Sequence, residues 1–427
     1  MARGGGDAPL GVVEAAVTRL TRPGSGERRP ERSSAGMGPW RFVVWFGTVS
    51  LLADVVYEGA RSITGPLLAS LGASSLVVGT VTGAGEAAAL GLRLVSGPMA
   101  DRTRRFWGLA IAGYALTVVT VPLLGVAGVL WAACVLVIAE RVGKAVRSPA
   151  KDTLLSHATA ATGRGRGFAV HEALDQIGAI AGPLLVAGVL ALTGNDYGPA
   201  LGVLAVPGIV VLLLLFRLRA RVPDPEAYER GVTAAAPPPE TPQRRAGRLP
   251  RAFWTYAGFT AATTTGFATF GVLSYHLVQR HLLTAAWVPV LYAATMAVDA
   301  VAALATGWAY DRIGPRVLVA LPVLTAGVVV LAFSDMVAIA VAGSLVWGAA
   351  MGIQESTLRA TVADLVPSGR RATAYGLFAG VVGAASLAGG ALTGGLYGYS
   401  VPVLITVVIA IQVAAVVLLA VTRVDRR

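Results

Sequence analysis

The 427-residue chain has one cysteine, Cys134, and only 14% of its residues are charged. A lone cysteine excludes an internal disulfide and a thiolate metal site; lying inside an apolar run, it reads as a packing residue. Aromatic residues are sparse too, at 7%. The formal net charge of +12 would suit a nucleic-acid surface. The arginines, however, fall in short breaks between apolar runs and form no basic face interleaved with aromatics, so that class is set aside. There is no Gly-x-x-x-x-Gly-Lys-Ser/Thr loop, hence no nucleotide drive from this chain. His-Glu-x-x-His and Gly-x-Ser-x-Gly are missing as well, which disfavours an embedded enzyme built on Glu140, His171 and Asp175. No apolar core with a small-residue cleavage site precedes Trp40, so no cleaved signal peptide is expected.

What is present in quantity is apolar sequence: 55% hydrophobic residues and a mean hydropathy of +0.68. That is too apolar for a soluble globule of this size. Twelve segments are each long enough, at about 20 residues, to cross a bilayer. They run over 41–70, 74–100, 106–126, 128–150, 166–193 and 197–218, then 251–280, 285–310, 315–334, 336–360, 371–397 and 400–422. The expected organisation is an all-α membrane protein of two pseudo-symmetric six-helix bundles, residues 40–218 and 251–422. A Gly-, Arg-, Ser- and Pro-rich tail (1–39) precedes them and a short tail (423–427) follows. A polar linker (219–250) containing Pro237, Pro238 and Pro239 separates them. Lys and Arg crowd the tails, the linker and every second loop; Arg280 is the exception. This bias places both termini in the cytoplasm of a multi-pass cell-membrane protein.

Two of the basic loops repeat. Gly97-Pro98-Met99-Ala100-Asp101-Arg102 recurs as Gly307-Trp308-Ala309-Tyr310-Asp311-Arg312, 210 residues on, with Arg104 and Arg105 trailing the first copy and Arg316 the second. Each lies between the second and third segments of its half, and internal repeats of this kind mark transporters. Pro149-Ala150-Lys151 and Thr357-Leu358-Arg359 are a further matched pair.

The duplicated Gly-x-x-x-Asp-Arg loop resembles the signature of the major facilitator superfamily, over essentially all of Trp40 to Arg423. The runs 52–58, 140–152 and 168–175 are similar to a bacterial and archaeal branch of mostly unassigned substrate. The resemblance implies the twelve-helix major facilitator fold, alternating access, a small-molecule substrate, no cofactor or metal, no enzymatic activity, and a monomer. Gly178-x-x-x-Gly182-Pro183 partly resembles the antiporter motif of the fifth helix, although Ala169 and Val186-Ala187 depart from it; close helix packing is the competing reading. The resemblance also implies a gate from Gly97, Asp101, Arg102 and Arg105, with Gly307, Asp311 and Arg312 as its counterpart. Asp101 would then meet the start of the eleventh helix near Arg370, and Asp311 the fifth helix near Arg166.

Charges inside apolar segments are costly and mark function. Asp54, Glu58 and Arg61 share one helical face, and Glu86 and Arg93 are seven apart on the next segment. Glu140, Lys144, Arg147 and Lys151 form a stripe beside Arg141; His171 and Asp175 form another beside Glu172. Asp54, Glu58, Glu172 and Asp175 are the proton-coupling candidates, with structural ion pairs such as Glu58–Arg61 or Glu140–Lys144 as the alternative. Arg61, Glu140, Arg141, Lys144, Tyr275, His276, Asp299 and Glu355 are the substrate-cavity candidates. Arg147 and Lys151 are expected to pair with Asp101 or Asp152 in the gate, and His171 to contact the basic stripe. Gly79, Gly83, Gly376, Gly380 and Gly383 fit close packing between the halves. The leading functional expectation is proton-coupled export of small organic molecules; the alternative is proton symport, meaning uptake, of an organic anion or other small solute.

Overall fold

A computed structural model describes residues 37–233, 249–367 and 370–421. Most of the 1–39 tail, the Pro-rich part of the linker and the 423–427 tail lie outside the described residues. The first half contains α1 (Pro39–Ser70), α2 (Ser75–Gly91), α3 (Arg93–Thr103), α4 (Phe106–Gly125), α5 (Leu130–Thr162), α6 (Arg164–Leu192), α7 (Tyr197–Gly202) and α8 (Ala205–Arg221). After α9 (Glu226–Thr233) come α10 (Arg251–Thr265), α11 (Phe270–Gln279), α12 (Trp287–Ile313), a 3-10 turn (Gly314–Val319), α13 (Ala320–Ala332), α14 (Val337–Leu365), α15 (Arg371–Tyr399) and α16 (Val401–Val421). The pairs α2/α3, α7/α8 and α10/α11, and the 3-10 turn with α13, are each one interrupted span. This makes twelve membrane helices.

The outer surface is that of a protein in lipid. Leu192, Leu213, Val301 and Leu304 are exposed, which in water would form an unacceptable apolar surface. Trp131, Trp287 and Tyr399 stand exposed at helix ends on one side, and Trp40, Trp254 and Trp308 on the other. They make two interfacial aromatic belts.

Backbone geometry repeats with the sequence. Arg104 ends α3 at φ 51° and Gly314 ends α12 at φ 66°, each three residues after its Asp. A positive φ stops each helix so that the chain can reverse into the next span. The two differ in ψ: Arg104, at 18°, is left-handed helical, whereas Gly314, at −151°, is in a region open essentially to glycine alone.

The halves meet tightly at the end opposite these loops. A Cβ on Gly79 would lie 2.1 Å from the Gly390 carbonyl oxygen, and one on Gly394 2.3 Å from that of Ser75. A Cβ on Gly65 would lie 2.2 Å from the Gly271 oxygen, and Asn195 Oδ1 accepts from the Ala286 amide at 3.1 Å. Toward the basic loops the contact loosens, and Gly380 meets only a side-chain atom of Leu94, at 3.6 Å. Of the inter-half glycines expected from sequence, Gly79 and Gly83 are backbone contact points at the closed end. A Cβ on Gly383 would lie 3.3 Å from Ala87 backbone, and one on Gly376 or Gly380 would meet only the Leu94 side chain.

The linker is more ordered at its start than its composition predicts. Helix α9 docks on the first half. The Tyr228 hydroxyl donates to the Met37 carbonyl at 2.6 Å, and Trp107 Nε1 donates to the Val222 carbonyl at 3.1 Å. Glu229 contacts His157 at 2.7 Å. Burial pushes the Tyr228 hydroxyl up to about 12, so it remains a donor at physiological pH. Tyr228→Phe should lose roughly 1 kcal/mol of local stability, read as faster proteolysis of the linker at unchanged transport; equal cleavage rates would mean that the strap holds without this bond.

Candidate functional site

The break between α10 and α11 opens the site. Gly266 caps α10, and the Thr269 side chain accepts from the Val272 amide to start α11. Non-helical backbone at membrane depth is tolerated where it lines a cavity. Here Phe267, Thr269 and Phe270 line one of about 690 Å³, a size that suits a small organic molecule. Its floor is aromatic: Phe267 stacks on Trp347 at 5.6 Å, and Phe270 lies 5.4 Å from the same ring. From there the lining climbs along α2, α5, α14 and α15 to Arg93, Arg359 and Tyr375, toward the basic loops.

One carboxylate organises the polar wall. Glu86 Oε1 accepts from Arg61 Nη2 at 2.9 Å and lies 3.1 Å from Arg141 Nη1. It ties α1, α2 and α5 together. Arg61 also approaches Glu58 at 3.6 Å, and Arg141 Nε approaches Glu140 at 3.4 Å. Arg141 donates to the Tyr57 hydroxyl as well. The Lys144 ammonium sits 4.0 Å from the centre of the Tyr57 ring, a cation–π contact rather than the ion pair with Glu140 expected as an alternative. Among the titratable lining residues, Arg61, Arg93, Arg141, Lys144 and Arg359 outnumber Glu86, Glu140 and Glu355.

Of the cavity candidates, Arg61, Glu140, Arg141, Lys144 and Glu355 line this space. Tyr275 and His276 do not. His276 is wholly buried near the closed end, between the Tyr397 hydroxyl at 3.0 Å and the Ser334 carbonyl at 3.2 Å. Asp299 is buried behind the wall, with Oδ1 unpartnered among the described residues. Helical spacing could not reveal this, because it fixes a side chain's face and not the depth of its neighbours.

The proton-coupling candidates separate into distinct settings. Glu58 is buried and accepts from the Tyr292 hydroxyl at 2.5 Å, so α1 of one half touches α12 of the other. Asp54 packs at α6, where a Cβ on Gly178 would come within 3.0 Å of its own Cβ. Asp175 pairs with Lys151 at 3.3 Å and approaches His171 at 3.5 Å. Glu172 is exposed. His171 bonds Ser50 at 2.8 Å, on α1 rather than on the basic stripe.

Two gate expectations are corrected. Arg147 is buried inside the first half, where it donates to Thr117 Oγ1 at 2.7 Å and covers the Tyr114 ring at 4.7 Å. Lys151 is held by Asp175 and not by Asp101 or Asp152. Asp101 and Asp311 are exposed and in no ion pair among the described residues. Gly97 and Gly307 are likewise uncrowded, Arg102 and Arg105 are exposed, and Arg312 lies over the Trp308 ring at 3.5 Å. The basic end is apart in this conformation. Gly178 and Gly182 are packing glycines: a Cβ on each would lie 2.3 Å from the Leu51 and Val55 carbonyl oxygens of α1. Pro183 follows inside α6.

Residues 46–378 and 279–427 match the family model of the Major Facilitator Superfamily. The chain belongs to this superfamily. It is therefore a secondary transporter and not an enzyme, with a small-molecule substrate and a multi-pass membrane location. Relatives cover most of its length. An uncharacterized protein of Mycobacterium tuberculosis is 64% identical over 401 residues, 94% of this chain and 96% of the relative. An uncharacterized MFS-type transporter of Methanocaldococcus jannaschii is 26% identical over 371 residues, 83% of this chain and 88% of the relative. The fold is similar to a mutant of the nucleoside transporter NupG, with a TM-score of 0.70 and 14% identity over 89% of this chain and 98% of that one. It also resembles a POT family transporter in complex with 5-aminolevulinic acid, with a TM-score of 0.69 and 12% identity over 90% and 97% of the two chains.

Sequence reasoning left Glu86 outside the candidate site, although its spacing from Arg93 on one helical face was a usable signal. Tyr57, Tyr292 and Trp347 carried none, since single aromatics in apolar segments look like core.

Proposed function

We propose that this superfamily member is a proton symporter that carries a small organic anion, with the basic loops at the cytoplasmic face and Glu58 as the coupling carboxylate. The contact that carries this reading is Tyr292 to Glu58 at 2.5 Å. Of the four coupling candidates, Glu58 is the one that bonds across the two halves among the described residues, so a proton arriving there changes an inter-half contact directly. It also sits 3.6 Å from Arg61. Neutralising Glu58 leaves Arg61 less compensated, and the cavity, already rich in cations, then favours an anion. Proton and anion thus strengthen each other's binding, which is the linkage a symporter needs. Proton antiport and export, the first expectation from sequence, needs the opposite linkage, and the Gly178–Gly182 element that suggested it packs α6 on α1.

The two directions differ electrically. A monoanion entering with one proton moves no net charge. The same anion exchanged for a proton moves two, so 100 mV contributes about 4.6 kcal/mol. Proteoliposomes containing a pH dye should acidify inside when 1-naphthalenesulfonate is added outside, at a rate indifferent to an imposed potassium potential. Glu58→Gln should retain counterflow of the probe and lose the acidification. Interior alkalinisation that responds to the potential would establish exchange instead and remove the symport reading.

A further inference from the structure

Arg93, on α3 in the first half, and Arg359, on α14 in the second, both line the cavity near the basic end. They come from opposite halves of the protein and share the cavity lining there with Leu94, Tyr375 and Gly376. Arg93 Nη2 donates to Ser148 Oγ at 3.3 Å. Its Nε is buried without a hydrogen-bond partner among the described residues. Arg359 is exposed to the cavity and in no ion pair among the described residues; Glu355, one turn earlier, is not within ion-pair distance of it. Two like charges from opposite halves therefore line one cavity with donors to spare. A buried guanidinium N–H without a partner gains from a negative group that can accept from it, and a planar guanidinium fork matches carboxylate, sulfonate or phosphate oxygens.

Resting on the symport reading above, we infer that Arg93 and Arg359 form a split anion clamp that grips the head group of an amphipathic organic anion, one with a flat apolar body lying toward Trp347 and Phe270. The separation fits such a molecule. Arg359 is twelve residues beyond Trp347 on one helix, a rise of about 18 Å between Cα atoms, and the long arginine side chain shortens the span to be filled. The clamp also explains how substrate drives closure. Without an anion the two guanidinium groups oppose approach of the halves at the basic end; with one between them, the same groups draw the halves together. The loaded carrier then closes readily and the anion-free carrier slowly.

The test uses three probes on the full-length protein: 1-naphthalenesulfonate, neutral 1-naphthalenesulfonamide and cationic 1-naphthylmethylamine. The sulfonate should raise the melting temperature of the detergent-solubilised protein, and the other two should not. Arg93→Gln and Arg359→Gln should each weaken sulfonate binding about tenfold or more, while Arg359→Lys, which keeps the charge and loses the fork, should weaken it less. In proteoliposomes, sulfonate counterflow should outrun net uptake in the wild type, and the gap should narrow in Arg359→Gln; a residue that only supports the fold would lower both rates alike. Equal stabilisation by the amide or the amine, no stabilisation by the sulfonate, or wild-type affinity in both glutamine variants would overturn the clamp. Sulfonate binding that depends on both arginines, without proton movement, would leave the clamp standing and remove the symport reading.

Discussion

Glu86→Gln should be among the most damaging isosteric substitutions in the protein. The carboxylate holds Arg61 at 2.9 Å and Arg141 at 3.1 Å, and the amide keeps its volume while removing the charge that both guanidinium groups share. Breaking a fully buried pair costs 3–5 kcal/mol; here the cavity admits water to one side, so about 2–3 kcal/mol is expected. The loss would be read as a lower melting temperature in detergent. The same substitution frees two cations. Binding of 1-naphthalenesulfonate at neutral pH should therefore tighten even as the fold weakens, an opposition of signs that general misfolding cannot produce. A variant that is as stable as wild type would show that Glu86 is solvated and not the tie between α1, α2 and α5.

Gly79→Val should sharply reduce turnover by acting at the other end. Its Cβ would lie 2.1 Å from the Gly390 carbonyl oxygen and 3.1 Å from Gly394 Cα, both on backbone that no rotamer change can move. The helices must separate, and overpacking of this sort costs roughly 1–3 kcal/mol, which at 1.4 kcal/mol per decade is about a 5- to 140-fold loss in the population closed at that end. Sulfonate binding from the basic end should weaken with that population, since access there needs the other end closed, and net uptake and counterflow should both fall. Gly376→Val is the control. Its Cβ meets only Leu94 Cδ2, at 2.9 Å, a flexible side-chain end that can swing aside. Equal transport by Gly79→Val and wild type would mean that the glycine contacts are incidental to closure.

These expectations draw on different kinds of information. Hydropathy and loop charge in the sequence determined the membrane class, the twelve spans and the duplicated Asp101 and Asp311 loops, because bilayer thickness and the avoidance of charge in lipid act along the chain and leave a linear trace. Helical spacing also placed Asp54, Glu58 and Arg61 on one face and Glu140 and Lys144 on another. It could not say which faces meet. Tertiary structure decided that Glu86 is shared by Arg61 and Arg141, that Glu58 meets Tyr292 from the other half, that Arg147 turns inward to Thr117, and that Arg93 and Arg359 line one cavity. It also decided that His276 and Asp299 lie away from the cavity they were expected to line. The reason is geometric: a period of 3.6 residues gives the direction of a side chain about its own axis, whereas an ion pair across two spans depends on the rotation, depth and tilt of both helices. Those are set by packing, and here by glycines such as Gly79, Gly178 and Gly182, whose missing side chains let one backbone approach another.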